Sequence, residues 1–406
     1  MESKDADASS VSGLAVAQGP ASLQRLTLTD FRCYAALRLD VDARPVILTG
    51  ANGAGKTNIL EAVSFLVPGR GLRGARLAEI ARSDPGSTAE SPRQWAVSAI
   101  IETPVGPVNL GTGRDQPGHG GREKRLVHID GERVSSQSRL ADYLSIQWLT
   151  PQMDRLFVEG PSARRRFLDR LVFGFDPAHA GRVSAYEHAL RERSRLLRHG
   201  QPGTGRPADP EWLSVLEDSM ATRGVAVAAA RLQLAQRLGQ IAARKGAFPG
   251  ATIAVSGDVE QWLGEGPALQ AEDRFRAALA NCRSRDSENG STGLGPHRSD
   301  LIVHHTRTGQ VAALCSTGEQ KALLIALILA NARLQAAERG SLPLLLLDEV
   351  AAHLDQTRRQ ALFDEILALG IQAWMTGTDM SLFDAMARTA QFFSVDNATL
   401  AAQSPQ

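Results

Sequence analysis

A glycine-rich octapeptide constrains this chain more than any other feature. Residues 50–57 read GANGAGKT, which fits the pattern G-x-x-x-x-G-K-[ST]. The apolar residues 46–49 precede it as a short buried strand, and residues 58–66 follow it with the apolar period of a helix. A phosphate-binding loop requires a strand, a glycine loop and a helix in this order. The sequence therefore predicts a nucleotide site, with a glycine-rich turn and an accidental Lys-Thr as the alternative.

The octapeptide predicts how ATP and Mg²⁺ are held. Glycine lets backbone N–H groups turn toward a phosphate that a side chain would obstruct, and the helix that follows directs its positive end to the same place. Lys56 is expected to reach the β- and γ-phosphates, and the Thr57 hydroxyl is expected to bind Mg²⁺. The predicted ATP-binding residues are Gly50, Ala51, Asn52, Gly53, Ala54, Gly55, Lys56 and Thr57.

A second apolar strand ends in two carboxylates. Residues 344–347 are four leucines, and Asp348 and Glu349 follow them. Asp348 is expected in the Mg²⁺ shell, and Glu349 is expected to polarise the attacking water as the general base. Taken alone, such a run is equally consistent with a surface turn. Together with the glycine loop it indicates the second half of an ATPase site.

Composition excludes several classes of protein. The 406 residues carry a net charge of +1, so a nucleic-acid partner must be inferred from local patches. The three cysteines, without a CxxC pair, argue against a disulfide framework and a zinc site. No stretch approaches the roughly 18 uninterrupted apolar residues of a membrane span, and residues 1–21 lack the pattern of a secretory signal. We expect a flexible leader at 1–21 and a cytoplasmic protein with no membrane partner.

The chain divides into three stretches of different character. The first 150 residues are rich in predicted strands (23–28, 36–41, 95–102, 105–110 and 126–129), with polar loops at 83–92 and 111–122. Helices are predicted at 162–173, 180–198, 211–243 and 268–283, with a turn at 201–210. The third stretch alternates strands (301–305, 311–314, 344–347 and 372–376) with helices (318–337 and 356–369) and ends in a tail expected to fray from Asn397.

Three weaker strings surround the two strong motifs. Ser316 and Gly318 begin a predicted helix about 30 residues before Asp348, which fits an anion site or an ordinary helix cap with Glu319 in the first turn. The string resembles the signature of ABC-type ATPases, which contacts the γ-phosphate in the opposite subunit. Asp355 resembles their D-loop residue. Gln152 resembles their Q-loop glutamine, and this resemblance implies a catalytic and metal-binding role.

A narrower resemblance covers roughly residues 22–393. Residues 31–34 (FRCY), the glycine loop with Asn58, residues 160–170 (GPSARRRFLDR) and residues 295–301 (GPHRSDL) together resemble the RecF family of bacterial recombination mediator ATPases. Two positions depart from the family pattern. Position 319 is Glu where the family often has Gln, and position 152 is Gln where many relatives have Glu. Both departures leave the strength of ATP hydrolysis open.

The resemblance implies an α/β fold: a P-loop ABC-type ATPase head, with a mixed sheet and flanking helices, plus an inserted and mainly helical lobe. Such heads are two-lobed, like those of the chromosome-maintenance ATPases, without their long coiled coil. The spacing of about 290 residues between Thr57 and Asp348 independently requires an insert. The expected divisions are a leader (1–21), the N-terminal part of the head (22–164), a helical lobe (165–290), the C-terminal part of the head (291–396) and a tail (397–406).

The resemblance also implies an ATP-dependent mediator of recombination, acting in DNA replication, gap repair and SOS induction. ATP would join two heads as a homodimer, with each nucleotide between one glycine loop and the other subunit's Ser316 and Gly318. The dimer would clamp single-stranded DNA or single/double-strand junctions, hydrolyse ATP slowly and work with other recombination mediator proteins. Two alternatives are the ATPase subunit of a membrane transporter and an ATP-switched DNA clamp without significant turnover.

Arginines supply the local charge that DNA would need. Residues 161–200 contain nine arginines and four acidic residues. Arg164–Arg166 fit coupling between lobes or DNA contact, whereas residues 191–198 are the better phosphate candidates. Arg32 fits a contact with the nucleotide phosphates or a fold-stabilising ion pair. His297 fits a structural role or a contact with nucleotide or lobe, and Thr376 stands near the place of the switch histidine of many ABC proteins, which favours slow turnover.

Overall fold

A computed structural model describes residues 21–82, 94–115, 123–200, 208–244 and 246–404. The predicted leader lies outside this part of the chain apart from Ala21. The polar loop predicted at 83–92, most of that predicted at 111–122 and most of the turn predicted at 201–210 also lie outside it. Among the described residues, no helix combines the length and the apolar character needed to cross a bilayer.

An antiparallel sheet of six strands forms the N-terminal wall of the molecule. Its strand order is β2-β1-β4-β5-β6-β7, and every pairing is antiparallel. Strand β4 alternates exposed and buried residues, as expected for a sheet with one face on a core. The strands are β1 (Ser22–Phe31), β2 (Tyr34–Asp40), β4 (Ala96–Thr103), β5 (Gly106–Arg114), β6 (Arg125–Ile129) and β7 (Glu132–Arg133).

The second sheet carries the predicted motifs. Its order is β14-β13-β3-β12-β11-β8, and all pairings are parallel except that of β13 with β14. Because parallel strands end at the same edge, the loops after β3, β11 and β8 meet there. The strands are β3 (Val46–Thr49), β8 (Ile146–Leu149), β11 (Leu344–Leu347), β12 (Ala373–Gly377), β13 (Gln391–Asp396) and β14 (Thr399–Gln403).

The central strand of leucines separates two hydrophobic cores. Leu344 and Leu346 belong to a core shared with the antiparallel sheet, whereas Leu345 and Leu347 belong to a core shared with helices. A strand that is buried on both faces has apolar residues at consecutive positions, which explains the four leucines in a row. Helices α1 (Lys56–Ser64) and α2 (Leu77–Ile80) lie on the first core, and α9 (Thr317–Arg339) and α10 (Gln356–Leu369) lie on the second.

The inserted segment forms a mainly helical lobe with its own small core around Tyr186 and Phe275. Its elements are α3 (Pro161–Phe173), α4 (His179–His199), α5 (Pro210–Ala242), β9 (Ala251–Ser256), α6 (Asp258–Glu265), α7 (Ala268–Asn281) and α8 (Arg283–Asn289). Strand β9 pairs with β10 (Asp300–His305), and α3 runs through the division expected at 164/165. The divisions expected at 164/165 and 290/291 stay predictions.

Three local predictions differ from the structure. Residues 311–314, predicted as a strand, hold the short 3-10 helix Ala312–Leu314, because the bond from Leu314 N–H to the Val311 carbonyl closes a turn instead of a strand ladder. The tail predicted to fray pairs as β14 with β13 through a two-residue turn. The helix predicted at 268–283 ends at Asn281, and Cys282 separates it from α8.

Candidate nucleotide site

The glycines of the octapeptide are needed for steric reasons. Gly50 has φ 146°, and a Cβ there would lie 2.1 Å from the carbonyl oxygen of Val395 on the neighbouring strand. Gly55 has φ 117°, and a Cβ there would lie 2.7 Å from the hydroxyl of Tyr34. Both values of φ are in the range that L side chains rarely adopt. The loop is thus folded tightly against β13 and β2, with α1 beginning immediately after Gly55.

Lys56 lies inside the loop. Its side chain is 4% exposed, and its ammonium donates to the carbonyl oxygens of Gly50 at 2.7 Å and Ala51 at 2.8 Å. Burial lowers the pKa of Lys56, and the negative charges of Glu349 and Asp348 oppose that effect. The cation is therefore held at the mouth of the loop, close to both carboxylates predicted for the site.

Asp348 joins three strands of the site. Its Oδ1 accepts hydrogen bonds from the hydroxyls of Thr57 and Thr376, each at 2.8 Å. Its backbone N–H donates to the carbonyl of Leu149 at the end of β8. A carboxylate and a hydroxyl at one point are the hard oxygen ligands that Mg²⁺ prefers, so these residues fit the predicted metal. The structure brings Thr57 and Asp348 together as the sequence predicts.

Thr376 is a site residue that the motifs did not identify as a contact. It is fully buried at the end of β12, donates to Asp348 and accepts the backbone N–H of Glu349 at 2.8 Å. The available signal was topological, because the strand predicted at 372–376 ends at the same sheet edge as the strand before Asp348.

Glu349 has a strained backbone. Its φ of 54° lies in the left-handed region, where residues other than glycine are uncommon. The bond from its N–H to Thr376 fixes that conformation, which turns the side chain away from the course of β11. Strain of this kind is concentrated at functional sites, which agrees with the predicted position of a general base.

Gln152 lies on the 3-10 helix Pro151–Arg155 that follows β8. The side chain is exposed and forms no hydrogen bond with any described residue. Asp154 of the same turn is paired with Lys321 of α9 at 3.0 Å. The turn predicted to sense nucleotide is therefore attached to the helix that begins at the signature.

Ser316 and Gly318 lie at the start of α9. Ser316 caps the helix, accepts the N–H of Glu319 at 3.4 Å and donates its own N–H to the Glu319 carboxylate at 3.1 Å. The carbonyl of Gly318 accepts from Arg358 at 3.2 Å, and Asp355 caps α10 by accepting the N–H of Arg358 at 2.8 Å. The signature and the predicted D-loop residue are therefore neighbours, and the helix-cap alternative for Ser316 describes its bonds within the chain.

The signature faces outward. Residues 316–318 are exposed, and within the described chain no hydrogen bond or ion pair connects Ser316 or Gly318 with residues 50–57.

Arg32 is held away from the octapeptide by other partners. Its guanidinium forms two hydrogen bonds with the fully buried carboxylate of Glu61, at 2.8 and 2.6 Å, and one with the Glu79 carbonyl. This arrangement is the fold-stabilising ion pair considered as an alternative. Its neighbours contact the loop region instead, because Tyr34 donates to the Gly55 carbonyl and Cys33 accepts from Asn58.

Residues 160–170 and 295–301 contact each other. Arg164 pairs with both oxygens of Asp300 and also donates to the carbonyls of Phe157 and Glu159 in the turn that follows Gln152. Arg165 donates to the Ser299 carbonyl. These bonds support the coupling alternative for Arg164 and Arg165, whereas Arg166 is exposed.

Of the arginines at 191–198, which the sequence offers as phosphate candidates, the structure excludes Arg193. Arg193 is fully buried and pairs with Glu217 and Asp286. Arg191 and Arg195 pair with acidic residues on their own helix. The local charge counted along the sequence is therefore largely neutralised in the fold.

Comparisons with known proteins agree with this geometry. The model of the RecF/RecN/SMC N-terminal domain matches residues 22–401. The DNA replication and repair protein RecF of Rhizobium meliloti is 47% identical over 379 residues, covering 92% of this chain and 97% of the relative. That of Mesorhizobium japonicum is 48% identical, covering 93% and 97%. A solved structure of the recombination mediator protein RecF-ATP in the RecFOR pathway has the same fold, with a TM-score of 0.79, 20% identity and coverage of 95% and 99%.

Proposed function

The chain belongs to the RecF family of DNA replication and repair proteins, and from that membership we propose that it is an ATP-dependent recombination mediator. In this proposal the protein binds ATP with Mg²⁺, forms a dimer on DNA and hydrolyses ATP slowly in the cytoplasm. The observation that carries the proposal is the meeting of Thr57, Thr376 and Asp348 beside the buried Lys56. Membership of this family argues against the alternative that the chain is the ATPase subunit of a membrane transporter.

The loop residues divide the work of binding. Backbone N–H groups of residues 51–57 and the N-terminal end of α1 face the phosphates, and Lys56 exchanges its two carbonyl partners for phosphate oxygens. Thr57, Asp348 and Gln152 would hold Mg²⁺, which would supply positive charge to the phosphates.

Glu349 acts as the general base in this proposal. Its side chain accepts a proton from the attacking water, while Thr376 keeps its backbone in the left-handed conformation. Gln152 assists by orienting water from the adjacent strand end.

The signature completes the site of a second copy. Ser316 and Gly318 are exposed, and among the described residues they bond to their own helix and to Arg358, which leaves their outer faces for a nucleotide held by the partner. Asp355, next to Gly318 through Arg358, lies at the same interface. The solved RecF of the RecFOR pathway supports the expectation that other mediator proteins bind the assembled dimer.

Sedimentation velocity with ATP tests the proposal. Lys56→Met is expected to abolish ATP binding and to remain monomeric. Glu349→Gln is expected to bind ATP and to accumulate as a dimer, because association is retained while hydrolysis is slowed. A Glu349→Gln protein that binds ATP and sediments as a monomer would rule out the sandwich dimer.

An ATP-switched clamp without significant turnover is the second candidate. The observation that favours it is the buried Thr376 at the end of β12, a position that contributes a hydroxyl and no titratable group. Phosphate release at the level of Lys56→Met, combined with ATP-dependent DNA binding by the wild-type protein, would select this candidate.

A further inference from the structure

A broad groove lies between the head and the helical lobe, away from the nucleotide site. Its volume is about 1270 Å³. It is lined by the segment after α1, with Arg70 and Arg76, and by Lys124, which lies just before β6. The start of α4 also lines it. This volume exceeds the range of roughly 300–1,000 Å³ typical of pockets for small ligands, which indicates a larger partner.

The groove is lined by more basic than acidic side chains. Arg70, Arg76 and Lys124 are exposed, and among the described residues no ion pair joins their side chains to a carboxylate. The Glu79 carboxylate lies next to Arg76, whose backbone N–H donates to it at 3.0 Å. The single acid of the lining, Glu123, is paired with Arg114. Nearby Asp176 is also paired, with Arg182.

The first turn of α4 adds a smaller contribution. Helix α4 has 21 residues and no acidic residue in its first turn, but just before it the Asp176 carboxylate accepts the N–H of the N-cap residue Ala178 at 3.1 Å. Ala178, Ala180 and Gly181 line the groove at this end of the helix. Their small side chains leave the remaining N–H groups of the first turn accessible, and such groups favour anions. Hydroxyl donors also line the groove at Ser135, Ser136, Ser138 and Ser184.

The turn that carries Arg70 is fixed to the helix of the nucleotide loop. Arg125 donates to the carbonyls of Phe65, Val67 and Gly69, which are the residues between α1 and Arg70. Helix α1 begins at the glycine loop and ends at this turn. A polyanion in the groove would therefore touch the far end of the same helix that holds ATP.

We propose that this groove binds the phosphodiester backbone of DNA. None of the described residues that line it is aromatic, so the proposed contacts are with phosphates and not with stacked bases, which are the usual contacts of single-strand channels. The inference rests on the proposed function, since it assigns the DNA of that function to a surface. It predicts binding that is independent of base sequence and strongly dependent on salt.

A salt-resolved titration with a fluorescent duplex and ATP tests the groove. The variant Arg70→Ala/Arg76→Ala/Lys124→Ala removes three phosphate contacts. At about 0.1 M salt it should bind on the order of 10²-fold more weakly, with a salt slope reduced by about three. ATP binding, measured separately with a fluorescent nucleotide, should not change. The matched control Arg223→Ala/Arg244→Ala/Arg388→Ala removes three exposed arginines outside the groove and should retain wild-type affinity for DNA.

The outcomes test the assignment of the groove independently of the proposed function. If the wild-type protein binds DNA and the groove variant binds equally well, the groove assignment is wrong while the function stands. If the control variant loses as much affinity as the groove variant, the effect is one of net charge and the assignment is also wrong. A wild-type protein that binds no duplex, single strand or junction with ATP would overturn the proposed function itself. Poly-L-glutamate that competes as well as duplex at equal charge would assign the groove to an acidic protein instead.

Discussion

Lys321 and Asp154 form an ion pair of 3.0 Å that joins the helix of the signature to the turn of Gln152. Lys321 is buried, whereas the side chain of Asp154 is 31% exposed. Because Gln152 is expected at the chain's own nucleotide and Ser316 at the partner's, the pair connects two nucleotide sites. We expect Lys321→Met to bind ATP as the wild-type monomer does but to form the ATP-dependent dimer about 5- to 150-fold more weakly.

Nucleotide titration and sedimentation with ATP measure these two effects separately. Arg155→Met is the matched control, because Arg155 is exposed on the same turn and has no carboxylate partner among the described residues. An ATP-dependent dimer of unchanged affinity in Lys321→Met would show that the pair only stabilises the fold.

The Asp348 carboxylate, which accepts from both Thr57 and Thr376, should be needed for the dependence of ATP binding on Mg²⁺. Asp348→Asn keeps an oxygen that can accept from Thr57 and Thr376 but removes the negative charge. We expect the fold to be retained and the gain in ATP affinity on adding Mg²⁺ to fall at least about tenfold, since a carboxylate binds a hard cation more strongly than a neutral amide oxygen does. ATP titrations with Mg²⁺ and with EDTA measure the gain. A variant with the wild-type response to Mg²⁺ would place the ion elsewhere.

His297 predicts a fall in stability at mildly acidic pH. Burial lowers its pKa to about 4. Its Nε2 faces the Thr292 carbonyl at 3.0 Å, so Nε2 carries the proton, and Nδ1 accepts from the Tyr186 hydroxyl at 2.7 Å. An unfolded histidine has a pKa of about 6.5, so between pH 6.5 and 4 the unfolded chain takes up a proton that the folded chain does not. Stability is therefore fully present above pH 6.5 and falls toward pH 4, by up to about 3 kcal/mol.

Urea unfolding at pH 7 and pH 5 tests this dependence. His297→Gln should lose stability at pH 7 but show a smaller difference between the two pH values than the wild-type protein. The control His188→Gln changes an exposed histidine of α4 and should keep the wild-type difference. An unchanged difference in His297→Gln would assign the acid sensitivity to other groups.

The arginines show what charge counting along a sequence cannot predict. Arg191 and Arg193 are two positions apart on one helix and therefore face different directions. The first is exposed beside Glu187, whereas the second is buried between Glu217 and Asp286, which lie 24 and 93 positions further along the chain. Partners that distant are set by the packing of α4, α5 and α8, and no local pattern encodes them.

Removal of Arg193 should therefore affect stability and not DNA affinity. Arg193→Met leaves the buried carboxylate of Asp286 without its cation and leaves Glu217 with Arg283 alone, which is expected to cost about 3–5 kcal/mol of the free energy of unfolding. Arg191→Met should change that free energy by no more than about 0.5 kcal/mol. Chemical denaturation measures both. Equal stabilities would mean that the Arg193 pairs contribute no more than a surface pair.

The nucleotide site was more predictable than the rest because its motifs are local. Strand, glycine loop and helix are contiguous, and the leucines before Asp348 show a strand buried on both faces. Strand β14 was not predicted, because no local signal marks its turn. The turn between β13 and β14 consists of Asn397 and Ala398, at φ 44° and 61°, and contains no glycine. The pairing of β9 with β10 joins residues that lie 44 to 54 positions apart, so neither segment alone could predict it.

Alanine substitutions of Gly50 and Gly53, two glycines of the same loop, should differ in how much stability they cost. An alanine Cβ at position 50 would lie 2.1 Å from the Val395 carbonyl, so β3 and β13 would have to separate. At position 53 the same Cβ meets no atom within 4 Å, and only the backbone strain at φ 83° remains. We expect Gly53→Ala to cost about 1–2 kcal/mol and to remain folded. Gly50→Ala should cost about 3 kcal/mol or more, because a clash with backbone adds to the strain. Thermal unfolding with and without ATP measures both losses, and equal losses would mean that the contact with Val395 does not limit the loop.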